Sequence, residues 1–335
     1  MSFTTIGDLS QSFQLRRDNA RLKADLQRLT AELSTGRLPD LRAATGGDLR
    51  PLAALDRSVA LLTALGTAGA EAALFAEVAQ AALGRIADGA GTLSGAALLA
   101  RTSAVPSQID AVGREAAQQF EAAVARLNVQ AAGRSVFAGL ATDGPALRPG
   151  AEILDALALA TAGAATVADV EAALDIWFDP GGDFETTAYI GSPDPLRPIR
   201  VSEGELVDFP VTALDPALRD TLRAMALGAL LDRGVLAGDI AQRAALAGAS
   251  GEDLLAAKDR LVALRASVGD AEAAIDRARG RTAAERAAAE IARAMIVEAD
   301  PFRAAADLQA VQGQLETLYT VTARLSRLSL TEYLR

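Results

Sequence analysis

The chain has 335 residues, half of them hydrophobic, with 4% aromatics, no cysteine, no histidine and a formal net charge of −10. This composition excludes Ser-His-Asp and Cys-His nucleophile systems, thiolate redox chemistry and the usual zinc or iron sites. The acidic balance, with arginines dispersed among acids, argues against nucleic acid as a partner.

The length suits roughly two domains, and much of the hydrophobic content is alanine, so helix-on-helix packing with small side chains is expected. Residues 4–35 read as one helix, stopped by Gly36 and Pro39. Leu15, Leu22 and Leu29 recur every seven residues, and Leu26 and Leu33 fill the intermediate spacing. That is the a/d pattern of a helix that winds around a partner. After a loop through Thr45-Gly46-Gly47, an alanine-rich helix spans about residues 51–87, with Pro51 in its first turn and Leu55, Val59, Leu62 and Leu65 along it. Residues 89–95, with Gly89, Gly91 and Gly95, read as a break. A third helix is expected over 106–132, striped by Ile109, Val112, Phe120, Val124 and Leu127.

The texture changes between residues 136 and 214, where breaker clusters such as Asp143-Gly144-Pro145 and Asp179-Pro180-Gly181-Gly182 gather. Short helices are expected near 152–161 and 167–176, and strands at 186–190, 199–201 and 206–211, with Glu203-Gly204 turning the last pair. This predicts a small inserted α+β domain held between halves of a helical one. Helix resumes at Asp215-Pro216, an N-cap followed by proline at the first helical position. Ser250 with Asp253 has the spacing of a capping box that opens a further long helix. Asp300-Pro301 launches the last helix, where Leu308, Val311, Leu315, Leu318, Thr322 and Leu325 step three, four, three, four, three. The fold class read from these elements is mainly α: a long antiparallel bundle or coiled coil formed by both chain ends, with a small α+β insert.

Candidate chemistry is sparse. Asp175, Asp179, Asp183 and Glu185 fit no calcium loop and read as turn acids. Trp177-Phe178 reads as core of the insert rather than a ligand platform, and the Gly-Gly pairs lack a phosphate-loop lysine. No catalytic, cofactor or metal site is expected, and no enzyme activity. Residues 1–6 lack the basic start of a signal peptide, and no run reaches the ~18 apolar residues of a membrane span. Residues 153–170 come nearest, broken by Asp155, Gly163 and Asp169. The terminal heptads would stabilise an intramolecular bundle by roughly 1.5–3 kcal/mol per buried leucine, yet an isolated helix pair leaves half its stripe wet. Assembly with other chains is the reading that covers it.

The residues also carry a family resemblance. The run from Asp25 to Arg37, ending Ser34-Thr35-Gly36-Arg37, resembles the start of the bacterial flagellin superfamily. Leu308 to Glu316, then Ala323-Arg324-Leu325-Ser326 and Leu328-Ser329-Leu330-Thr331-Glu332-Tyr333-Leu334, resemble the closing helix of its hook-associated hook–filament junction proteins. Gly133-Arg134-Ser135-Val136-Phe137-Ala138-Gly139 resembles the family's entry into its inserted domain. The family's Asp-Asp pair is missing, since the loop here reads Arg42-Ala43-Ala44-Thr45-Gly46-Gly47-Asp48.

The resemblance implies an extracellular structural subunit of the flagellum, exported unfolded by the type III route without a cleaved signal. Its implied partners are copies of itself, a neighbouring hook-associated protein, filament flagellin, and a cytoplasmic chaperone on the C-terminal helix, with no membrane and no nucleic acid. It divides the chain into an assembly segment (1–45), two halves of a helical rod (46–135 and 215–300), the insert (136–214) and an assembly helix (301–335). The expected assembly interface is Leu15, Leu22, Leu26, Leu29, Leu33, Leu308, Val311, Leu315, Leu318, Leu325, Leu328, Leu330, Tyr333 and Leu334.

Overall fold

The structure, a computed structural model, describes the backbone of residues 6–209 and 211–333 and the side chains of 10–209 and 211–324. The chain divides into two compact units: Met1–Leu61 with Glu285–Arg335, and Leu62–Ala284. The fold is mainly α, as its periodicities predict.

The first unit is built on α1 (Ile6–Thr35) and α9 (Pro301–Tyr333), which pack on each other. Gly36, at φ 69°, closes α1 in the left-handed conformation that glycine adopts without penalty. Beyond it, Leu38 donates its N–H to the Val297 carbonyl at 2.9 Å, and Ala299 donates to the Gly36 carbonyl at 3.1 Å. These bonds place the end of α1 beside the start of α9, so the two helices run antiparallel. Asp300 caps α9 by accepting from the Phe302 N–H at 2.9 Å, with Pro301 at the first helical position, where no N–H is required. A single turn, α2 (Leu41–Ala44), is capped by Asp40.

In the second unit, residues 62–103 of α3 (Arg50–Ser103) and 240–284 of α8 (Ile240–Val297) form an antiparallel pair. The Gln80 amide donates to the Arg265 carbonyl at 2.6 Å, and Arg101 pairs with Glu252 nearer the other end. Around this pair lie α4 (Pro106–Leu127), α5 (Gly150–Ala160), α6 (Val167–Phe178) and α7 (Pro216–Ala229). Two antiparallel ribbons complete the unit: β1–β2 (Gln130–Ala131, Arg134–Ser135) and β3–β4 (Leu196–Ser202, Glu205–Phe209). One continuous core joins Leu83, Leu93, Ile109, Phe120 and Phe137 with Leu154, Leu174, Leu227 and Leu246. Residues 136–214 therefore share their core with the flanking helices.

Five expectations are corrected. Helix α3 runs unbroken to Ser103 through Gly89, Gly91 and Gly95; Gly89 lies against the Gln119 side-chain amide of α4. Packing over many turns outweighs the ~1 kcal/mol per glycine that suggested a break. By length and composition α3, not residues 153–170, is the helix among those described long and apolar enough to cross a membrane; the core helix of a soluble protein meets the same criterion. Ser250 lies inside α8, not at a helix start, and its hydroxyl donates to the Ala224 carbonyl of α7 at 2.7 Å. Residues 186–190 form no strand. Phe184–Ala188 is one π-helical turn, which brings Phe184 onto Trp177 and Phe178 before Tyr189 bridges to Leu147. The third helix ends at Leu127 rather than 132, because Ala132 and Gly133, at φ 50° and 76°, make the hairpin turn of β1–β2.

Candidate assembly surface

The leucine repeat of α1 meets that of α9 within one chain. Leu22, Leu29 and Leu315 are buried, Leu29 to 2% exposure, while Leu15, Leu26, Leu308, Val311 and Leu318 are half-buried. A two-helix pair covers only one side of each stripe, so this gradation is what two helices without a third produce. Leu33 departs from the pattern at 44% exposed. Glu32 takes the buried position beside it, 6% exposed, with its carboxylate accepting from Arg28 at 2.7 Å. The side chains of Leu325, Leu328, Leu330 and Tyr333, and all of Leu334, lie outside the described residues.

Apolar residues off the heptad enlarge the exposed surface of this unit. Phe302 is 87% exposed, and Phe13, Ile291, Met295, Tyr319 and Val321 are also exposed. On α9, a shallow groove of about 580 Å³ is lined by Ala310, Gly313, Gln314, Thr317, Leu318 and Val321. The heptad pattern misses Phe13, Ile291, Met295 and Phe302. For Phe13 and Ile291 the signal is a lone large apolar residue between polar or alanine neighbours, whereas Met295 opens the apolar run Met295-Ile296-Val297 and carries no such signal.

The insert's acids have conformational partners. Asp175 and Asp253 both accept from Arg223, each at 2.6 Å, tying α6 and α8 to α7. Glu185 accepts the Gly181 N–H at 2.9 Å, and Asp179 closes α6. Asp175, Asp179, Arg219, Arg223, Asp253 and Arg260 line a polar cavity of about 370 Å³. Alternating charge of this kind is a structural network. Among the described residues no three acids converge as metal ligands. Burial, reinforced by the charge of Asp253, raises Glu171 above the usual glutamate range against the pull of Arg223. Burial also pushes Tyr189 up to about 12, with its hydroxyl donating to the Ser192 carbonyl at 2.6 Å. Trp177, Phe178 and Phe184 are buried against one another.

The arrangement defines a helical protein with a self-paired terminal unit and an exposed apolar surface. No protein-family model and no curated protein matches the sequence. The structure is similar to solved ones, among them that of a candidate flagellar hook-associated protein from Vibrio parahaemolyticus. It is 15% identical, with a TM-score of 0.43, covering 72% of this chain and 94% of its own. A likeness this distant leaves functional assignment to the chain's own residues.

Proposed function

We propose that this chain is a non-enzymatic structural subunit of the bacterial flagellum, joining hook to filament and assembling through its terminal helices after type III export. The observation that carries this reading is the antiparallel α1–α9 pair, whose leucine stripes are only partly covered within one chain. It is joined by the resemblance of residues 25–37, 133–139 and 308–334 to the flagellin superfamily. In this reading residues 1–45 and 301–335 are the assembly segments, packing against copies of the chain, a hook-associated neighbour and flagellin. Contacts between unlike surfaces of successive copies build open helical arrays. Terminal helices of marginal stability stay compatible with export until neighbours cover them. The finer placement, junction rather than filament, rests on the closing sequence Leu328-Ser329-Leu330-Thr331-Glu332-Tyr333-Leu334.

A second reading, a soluble coiled-coil adaptor, is favoured by the closure of α1 on α9 within one chain. The two are separated by electron microscopy of a surface-labelled copy on intact flagella. A single band between hook and filament is expected. Label along the filament would make the chain a flagellin, and label confined to the cytoplasm would favour the adaptor.

A further inference from the structure

The two edges of the β3–β4 ribbon differ. On β3, Pro198 supplies no N–H, the register shifts twice, and Arg197 and Arg200 are exposed, all devices that guard a strand edge against pairing. On β4 no proline intervenes. Among the described residues, no backbone group outside β3 hydrogen-bonds to Glu205–Phe209. All of β4 instead lines a groove of about 340 Å³, whose opposite wall is Val268, Ala271 and Ala274 of α8.

An edge strand facing an apolar wall offers what an added strand needs: main-chain partners on one side and seats for alternate side chains on the other. The wall residues are small and leave room for larger apolar groups. Leu206 is 55% exposed at the rim. Charge sets the sign of the occupant. Glu205 is already held by Arg281, whereas Asp208 is exposed and, among the described residues, has no ion-pair partner. The same holds for Asp270, adjacent to Ala271 and one turn from Ala274.

We propose that this groove takes an extended segment of a partner polypeptide, in which apolar residues alternate with lysine or arginine, as a third strand on β4. The apolar set seats on Val268, Ala271 and Ala274, and the basic set, on the opposite face of the strand, meets Asp208. A second copy of this chain suits the groove poorly. Its β4 edge would bring two Asp208 carboxylates onto one face of the pair, and its β3 edge presents Pro198.

The test uses the full chain and a fluorescein-labelled peptide of about seven residues alternating valine with lysine, beside a counterpart carrying glutamate. Fluorescence anisotropy should show saturable binding of the lysine peptide, weakened by salt, and none of the glutamate peptide. Asp208→Lys, at an exposed position that leaves the fold intact, should weaken the lysine peptide about tenfold. Ala271→Phe should block binding by filling the groove without changing charge, with circular dichroism and the thermal midpoint confirming that the variant folds. Equal binding of both peptides, no binding, or binding unchanged in both variants would overturn the proposal. Concentration-dependent dimerisation that Ala271→Phe abolishes would also overturn it, by giving the groove to a second copy.

Discussion

The Arg28 guanidinium donates to the Glu32 carboxylate at 2.7 Å, one turn apart on α1, and buries that acid beside a leucine, Leu33, left in solvent. Heptad register alone places Leu33 inward. The backbone bonds that join residues 36–38 to 297–299 fix the end of α1 against the α8–α9 corner. That corner decides which side of the last turn is covered.

The contrast between Leu29 and Leu33 is testable. Leu29→Ala removes a buried side chain from the α1–α9 pair and should cost about 2–4 kcal/mol. Leu33→Asp, at an exposed site, should change stability by no more than about 0.5 kcal/mol, yet reduce self-association if the terminal unit is an assembly surface. Thermal unfolding by circular dichroism reads the first effect and sedimentation velocity the second. Equal stability losses at both positions would place Leu33 in the fold instead.

Gly228 of α7 lies against Ala116 of α4 and Ser250 of α8. A Cβ there would stand 2.8 Å from the Ser250 hydroxyl oxygen and 3.0 Å from the Ala116 Cβ. Gly228→Ala should therefore cost about 1–3 kcal/mol. Ser250→Ala, which loses the 2.7 Å bond to Ala224, should cost about 1 kcal/mol. The double variant should lose less than the sum, because removing the hydroxyl relieves part of the clash. Denaturant melts of all four proteins complete the cycle, and strict additivity would rule out that contact as the source of the cost.

Glu171 offers a pH signature. Its carboxyl is held above the ordinary range by burial and by Asp253. Above the ordinary glutamate value, about pH 4, the folded state keeps a proton that the unfolded chain has lost, so stability falls as pH rises through the folded value. Glu171→Gln lacks this loss. The variant should gain on the parent as pH rises through that window and stay level with it at lower pH. Thermal midpoints across pH measure it, and a gain on acidification would contradict the sign.

Trp177 is the chain's one tryptophan, 5.9 Å between ring centroids from Phe184. Phe184→Ala should cost about 3–5 kcal/mol and shift tryptophan emission to the red as water reaches the indole. Unchanged emission would mean that Trp177 is shielded without the π-helical turn.

Much of the fold is legible in the residues. The Asp-Pro starts at 215 and 300, the leucine stripes and the Gly36 stop are local rules, satisfied within one or two turns of chain. The misread elements share a non-local cause. Ser250 looks like a cap, yet its hydroxyl serves a carbonyl 26 residues away. The glycines of α3 look like a break, yet the helix continues through all three, with the Gln119 side chain of α4 lying against Gly89. Residues 186–190 are rich in strand-forming side chains, yet stacking of Phe184 on Phe178 outweighs that preference.

By itself the sequence determined that both chain ends are amphipathic helices, that a mixed α and β segment separates the helical stretches, and that no cysteine or histidine chemistry is available. Only the tertiary structure decided that α1 and α9 cover each other in part, that Glu32 rather than Leu33 goes inside, and that β4 keeps an open edge against α8. Periodicity states which face of a helix or strand is apolar. Which neighbour covers that face, and where the cover ends, depends on residues hundreds of positions away.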